Sequence, residues 1–200
     1  LVCVAECRGC FAVDDSVLND YNIIIHQVPI GITNDIKVMM KDGVRSFYTS
    51  EKKQYDYWSQ KIDMSFGSSG TQHARIMRMH VMKNFKSKER YAKNLANMID
   101  DKCIIFANTK EQADILCKHS YHSANPDNKK NLEMFKSGDI NTLSCVLQLN
   151  EGANIPNLRS GIILHSYSNE FKNSQRLGRL LRLNPNDTST VHILMTTDTV

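Results

Sequence analysis

The residues whose types and spacing best suit chemistry lie between Asn173 and Pro185, in the run Gln175-Arg176-Leu177-Gly178-Arg179-Leu180-Leu181-Arg182. At about 100° per residue of helix, Gln175, Arg179 and Arg182 fall within about 60° of one another, while Leu177, Leu180 and Leu181 gather opposite. One face is cationic and the other belongs to a core. A solvated basic face is the ordinary meaning of such a pattern. Here no carboxylate between Phe171 and Asn186 can pair with the arginines at helical spacing. The cations on this face are both Arg, whose planar fork suits two-pronged contacts to phosphate. The chemistry this allows is two-pronged contact to a phosphate.

Three further segments carry candidate functional groups. In Leu149-Asn150-Glu151-Gly152-Ala153-Asn154-Ile155-Pro156, Gly152 permits a tight turn after a strand and Asn154 offers both a donor and an acceptor. After the apolar run Cys103-Ile104-Ile105-Phe106-Ala107, the polar residues Asn108, Thr109 and Lys110 can point outward to a phosphate. Between His73 and Lys93 the cations Arg75, Arg78, Lys83, Lys86, Lys88, Arg90 and Lys93 face only one acid, Glu89. If one helix runs throughout, Arg75, Lys86, Arg90 and Lys93 share a face about 60° wide, a stripe able to neutralise nucleic-acid backbone; a helix break near Asn84 leaves a solvated face instead. Cys3, Cys7 and Cys10 have the C-x3-C-x2-C spacing of an iron–sulfur site, but nothing downstream supplies the repeated strand–helix barrel or a fourth zinc ligand. We therefore assign no metal ligands.

The elements that must position these groups follow from periodicity. The chain has 200 residues with 25 Lys and Arg against 21 Asp and Glu, a net charge of +4 too mild by itself to mark a nucleic-acid binder. Its length suits one full domain and an extension. No window approaches the 18 or more consecutive apolar residues of a membrane span, and residues 1–13 lack a signal-peptide pattern. An intracellular protein is expected, cytoplasmic or in the host-cell cytoplasm if viral, with its six Cys reduced. The start at Leu1 suggests a fragment or the product of a longer gene.

Tyr21–Val28 is a β-rich run closed by Pro29 and Gly31, and residues 44–49 form a second short strand. Ser50 is a candidate N-cap for a helix carrying Tyr55, Trp58 and Ile62 on one side. Thr71 to Ile99 reads as a further helix, and Asp100-Asp101 closes a connector spanning residues 1–100. From Lys102 onward strand and helix alternate: a strand to Ala107, a helix from Glu111 to His119, and a short strand at Tyr121. A helix from Asn128 to Lys136 ended by Gly138 follows, then strands at 143–147 and 161–166, a helix at 173–182 and a last strand at 190–195. This alternation predicts, for residues 101–200, an α/β fold with a parallel sheet flanked by helices.

The run at 175–182 resembles motif VI of superfamily 2 helicases and translocases, whose pattern is Q-R-x-G-R-x-x-R. Residues 149–156 resemble motif V, and 103–108 resemble motif IV, in the family's order. Asn154 stands where many members have Asp, and Val146 where many have Thr. The resemblance implies a RecA-like carboxy-terminal lobe of phage or DNA-repair type. It implies Arg179 and Arg182 as catalytic arginine fingers, and Gly152, Asn154, Gln175 and Arg176 as nucleotide contacts. Asn108, Thr109 and Lys110, with Arg75, Lys86 and Arg90, are the expected nucleic-acid contacts. The chain has no G-x-x-x-x-G-K-[ST] loop and no D-E-x-[DH] box. ATP and Mg2+ are therefore expected to be held mainly by an amino-terminal lobe, in cis or in trans. The expected activity is an ATP-dependent helicase, incomplete alone, with DNA favoured over RNA and no membrane partner. The rival reading is a degenerate lobe that binds nucleic acid or regulates a partner without turnover; His122 is read as structural.

Overall fold

The computed structural model describes residues 6–7, 21–40, 43–65, 67, 69–146, 155–164 and 188–197. Its organising strand is β5 (Cys103–Phe106), preceded in the chain by β1 (Glu6–Cys7), β2 (Tyr21–Val28), β3 (Ile36–Met39) and β4 (Ser46–Thr49). All four β5 residues are buried, as an apolar run covered on both faces requires. Beyond β5 the described strands are β6 (Ser120–Tyr121), β7 (Thr142–Cys145), β8 (Ser160–Ile163) and β9 (Ser189–Thr196). β5 pairs in parallel with β7 and β8, which bring Ser144 and Ile162 into register with Ile105. The sheet order is β1-β2-β9-β8-β5-β7-β6, with β1 antiparallel at the edge and the other six strands parallel. The α/β parallel sheet expected from the alternation is present.

Helices cover the two faces because successive strand residues point opposite ways. α3 (Lys86–Met98) and α4 (Lys110–Leu116) lay Ala92, Ala96, Ala113 and Leu116 against Ile105, Ile162, Leu164 and Leu194. On the other face Phe135 of α5 (Asn128–Ser137) packs with Ile104, Phe106, Leu143, Cys145, Ile163 and Val191. α5 stops at Gly138, whose φ of 89° suits a residue without a Cβ, while Gly138 and Asp139 both donate backbone N–H to the Met134 carbonyl. Cys103 and Cys145 lie inside these cores, and burial pushes the Cys103 thiol up to about 12, consistent with a small inert hydrophobe.

The expected boundary at residue 100 does not match the compact units. One unit joins the described residues of Leu1–Val28 to Lys88–Thr196, and the other contains Pro29–Ser87. β2, assigned from sequence to a connector, instead pairs in parallel with β9 along all eight of its residues. Pro29 and Gly31 correctly mark where the strand ends, but a local pattern carries no information about a partner more than 160 residues away.

A buried polar cluster fastens this pairing. His26 Nε2 lies 2.9 Å from His192 Nδ1, and His26 Nδ1 lies 2.9 Å from the Tyr91 hydroxyl on α3. Burial lowers both imidazoles below the ordinary 6.5, His192 to about 4, where His26 adds a second depressing contribution. Because the folded histidines resist protons that the unfolded ones accept, their contribution is complete above 6.5 and is lost as pH falls towards about 4. Urea midpoints should therefore decline through this window, and the decline should be shallower in His192→Gln. An unchanged slope in that variant would assign the acid sensitivity elsewhere.

The Pro29–Ser87 unit contains the antiparallel β3–β4 hairpin, α1 (Glu51–Met64) and α2 (Ser69–Lys83). Ser50 caps α1 as expected, accepting from the Lys53 N–H at 3.2 Å. The single helix expected from Thr71 to Ile99 is two helices. α2 ends at Lys83, Asn84 N–H bonds the Val81 carbonyl, and Phe85 turns in to pack with Ile30 and Tyr55. Glu51, only 2% exposed, holds the start of α3: its carboxylate accepts from Ser87 N–H at 2.8 Å and Ser87 Oγ–H at 2.6 Å. It also accepts from Gly31 N–H at 2.7 Å. Donors at a helix N-terminus lack intrahelical partners, so a carboxylate is well suited there.

Candidate nucleotide and nucleic-acid interface

The carboxyl ends of parallel strands open onto the loops where α/β sheets place their ligands. β5 leads through Ala107 into Asn108 and Thr109, and β8 leads into Leu164. Thr109 is the N-cap of α4, its hydroxyl oxygen accepting from Gln112 N–H at 3.1 Å. Gln112, 2% exposed, accepts through Oε1 from Asn108 N–H at 2.8 Å and from Asn108 Nδ2 at 3.0 Å. Its Nε2 donates to Glu89 at 3.0 Å. Asn108 and Thr109, expected to point outward to a phosphate, are thus hydrogen-bonded to Gln112 in the first turn of α4. The T-x-x-Q spacing from Thr109 to Gln112 is a capping-box signal and could have identified this role.

Lys110 is exposed in the first turn of α4. Exposed Glu111 beside it has its carboxyl held below the usual range, first by its own backbone N–H and then by the Thr109 hydroxyl. Lys88, buried on α3, directs Nζ towards the Leu164 carbonyl at 3.5 Å. Lys88 belongs to the cationic run between His73 and Lys93 but not to its four-residue stripe, and was not expected at this edge. Its position near the first turn of α3, shared with Glu89, is the only signal for it.

His122, read from sequence as structural, is buried in a polar cluster. Its Nε2 lies 2.8 Å from Asp114, whose other partner, the Ser120 hydroxyl, donates at 2.5 Å. Ser120 first and His122 second hold the Asp114 carboxyl below its usual range. Asn125 completes the loop by donating to Ser120 Oγ at 2.7 Å.

The connector stripe lacks the continuous helix it required. Arg75 is exposed on α2, whereas Lys86 and Arg90 lie four residues apart on α3, where those two share a face. The turn made by buried Phe85 separates the two helical registers. The other candidate residues, Gly152, Asn154, Gln175, Arg176, Arg179 and Arg182, lie outside the described residues, as do the helix at 173–182, most of 149–156, and Cys3 and Cys10. Among the described residues no group of three His, Cys, Asp or Glu side chains could hold a metal ion. No described helix is long and apolar enough to cross a membrane.

Six parallel strands with helices on both faces and a capped loop at the carboxyl edge define a RecA-like lobe. Residues 87–184 match the helicase conserved C-terminal domain, from the start of α3 through the run at 175–182. No curated protein matches the chain. Among solved structures it is similar to the E. coli DEAD-box protein SrmB bound to the regulator of ribonuclease activity A. That similarity has 15% identity and a TM-score of 0.46, covering 55% of this chain and 70% of SrmB. The yeast DEAD-box splicing factor Prp28 is 18% identical with a TM-score of 0.47, over 56% of this chain and 27% of Prp28. The C-terminal domain of the DEAD-box protein Dbp5 is 18% identical with a TM-score of 0.48, over 58% of this chain and 73% of that domain.

Proposed function

We propose that this chain is the carboxy-terminal motor lobe of a superfamily 2 ATP-dependent nucleic-acid helicase or translocase. The observation that carries this reading is the helicase C-terminal match over residues 87–184, which takes in the arginine-bearing run at 175–182. ATP with Mg2+ supplies the phosphoryl transfer that drives movement, and an amino-terminal lobe, in cis or in trans, supplies most of its contacts. At the described carboxyl edge the Asn108 amides donate to Gln112, Gln112 to Glu89 and the Lys88 ammonium to the Leu164 carbonyl, while Lys110 presents an exposed ammonium. Such a donor set suits a phosphate oxygen better than magnesium, which prefers carboxylates and water.

This chain's own contribution is twofold. Arg179 and Arg182, with Gln175 and Arg176 beside them, stabilise charge on the transferring phosphoryl group. Gly152 and Asn154 line the nucleotide side, while exposed Lys110, next to the loop that Gln112 holds at Asn108–Thr109, meets the strand's backbone. Backbone contacts do not by themselves separate DNA from RNA, so both are assayed. Joined to an amino-terminal lobe bearing a phosphate-binding loop, the chain should support ATP hydrolysis stimulated by single strands. Alone it should show none. Stimulated turnover by the pure 200-residue chain would overturn the divided motor.

A further inference from the structure

The charge excess of the molecule is not where the motor motifs lie. Pro29–Ser87 carries ten Lys and Arg against five Asp and Glu, a net of +5 in a chain whose total is +4, so the remaining residues sum to −1. Among the described residues, ten of the thirteen exposed large hydrophobics fall in the same segment: Ile32, Met39, Met40, Val44, Phe47, Tyr48, Tyr57, Met64, Ile76 and Met79. A solvated surface has no need to combine excess positive charge with exposed aromatic rings. That combination matches the demands of an unstacked, anionic strand.

The juxtaposition is best defined on α1. Lys53, Tyr57 and Lys61 are all exposed and follow one another at intervals of four residues. At about 100° per residue the two lysines lie about 40° either side of Tyr57, and Asp56 and Asp63 both lie about 100° or more away. Asp56 also pairs with Lys52 at 3.4 Å. Lys61 Nζ stands over one face of the Tyr57 ring, 5.7 Å from its centre, so a base stacks on the opposite face or displaces the ammonium towards a phosphate. Trp58 meets Tyr57 edge-on at 5.0 Å, and His73 of α2 meets Trp58 edge-on at 5.9 Å. Tyr57, 52% exposed, is therefore propped from one side by a second aromatic ring and flanked along the helix by two ammonium groups.

We propose that the Lys53–Tyr57–Lys61 row of α1 is a sequence-independent single-strand binding site, with a nucleobase stacked on Tyr57 and adjacent phosphates met by Lys53 and Lys61. The proposal rests on the nucleic-acid reading above and adds a grip in the Pro29–Ser87 unit, separate from the motif residues. An acidic protein segment would use the two lysines but has no requirement for the half-exposed ring. A duplex keeps its bases stacked and cannot use that ring either.

The test uses the full chain and labelled oligo(dT) and oligo(U), with fluorescence anisotropy read across a salt series. Tyr57→Ala should weaken binding about tenfold, within the range for loss of one stacked base. Tyr57→Phe should retain affinity, whereas Tyr57→Leu, which keeps apolar bulk without a π-face, should behave like Ala. The paired change Lys53→Gln and Lys61→Gln should lower the salt slope by about 0.7 for each cation removed. Circular dichroism and a thermal melt verify that each variant is folded. Unchanged affinity in Tyr57→Leu, or equal binding of a duplex of the same length, would overturn the stacking site. Equal loss of binding to anionic vesicles in the same variants would overturn it in favour of a general cationic surface. The two readings fail separately, because the stacking site is judged by strand binding to the full chain and the motor by ATP turnover of the joined protein.

Discussion

In the chain joined to an amino-terminal lobe, Arg179→Ala or Arg182→Ala should lower ATP turnover by about 10³-fold or more, the scale of an arginine finger. The charge that develops on a transferring phosphoryl group has to be met where water is excluded, and a guanidinium meets it with a planar pair of donors. Lys at either position keeps the charge and loses the fork, so it should rescue little. In the helical pattern of the sequence both arginines fall opposite Leu177, Leu180 and Leu181, and substitutions away from a core change stability by only about 0.5 kcal/mol, so the Ala variants should fold and melt like the parent. The proposal therefore predicts a loss of turnover separated from any loss of structure. Near-normal turnover in both folded Ala variants would remove the motor reading. Unfolding in either would instead make that arginine part of a structural network.

Glu51→Ala should destabilise the protein by about 2–5 kcal/mol, because it strips partners from the N–H groups of Gly31 and Ser87, each worth about 1–3 kcal/mol when left unsatisfied in the interior. The carboxylate now receives hydrogen bonds from Gly31, the Ser87 backbone and the Ser87 hydroxyl. Glu51→Gln should recover part of this loss, since its one carbonyl oxygen can still accept while its amide nitrogen faces a donor. Gly31→Ala should damage the same contact from the opposite side: a Cβ there would come within 2.8 Å of Glu51 Oε2. Carboxylate and glycine form one unit, so the double variant should lose clearly less than the two single losses combined. Urea unfolding of the four proteins measures this directly. Strict additivity would separate Glu51 from Gly31 and make the carboxylate's role a local one at α3.

Where a structural choice depends on neighbours in the chain, the residues alone announced it. The apolar run at 103–107 became β5, the glycine at 138 ended α5, and Ser50 capped α1, because strand burial, left-handed backbone and capping each act within a few residues. The α/β class followed from the repetition of such segments. The spacing of Gln175, Arg176, Arg179 and Arg182, on which the proposed catalysis depends, is likewise a property of the sequence, and those residues lie outside the described ones.

Choices that depend on distant partners could not be read this way. The run at 21–28 has the composition of a strand, but only its pairing with β9 and the His26–His192–Tyr91 contacts put it in the main sheet. The sequence left both a continuous helix from Thr71 to Ile99 and a break near Asn84 open, and it was the burial of Phe85 beside Ile30 and Tyr55 that made the break and dissolved the single cationic stripe. Thr109 and Asn108 looked like groups free to meet a phosphate until Gln112 took up their hydrogen bonds. The types and order of the residues determined which local structures and which chemistry were available to this chain. Tertiary contact decided which polar groups were committed to holding the fold, because a buried donor or acceptor must find a partner and that partner can lie anywhere along the chain.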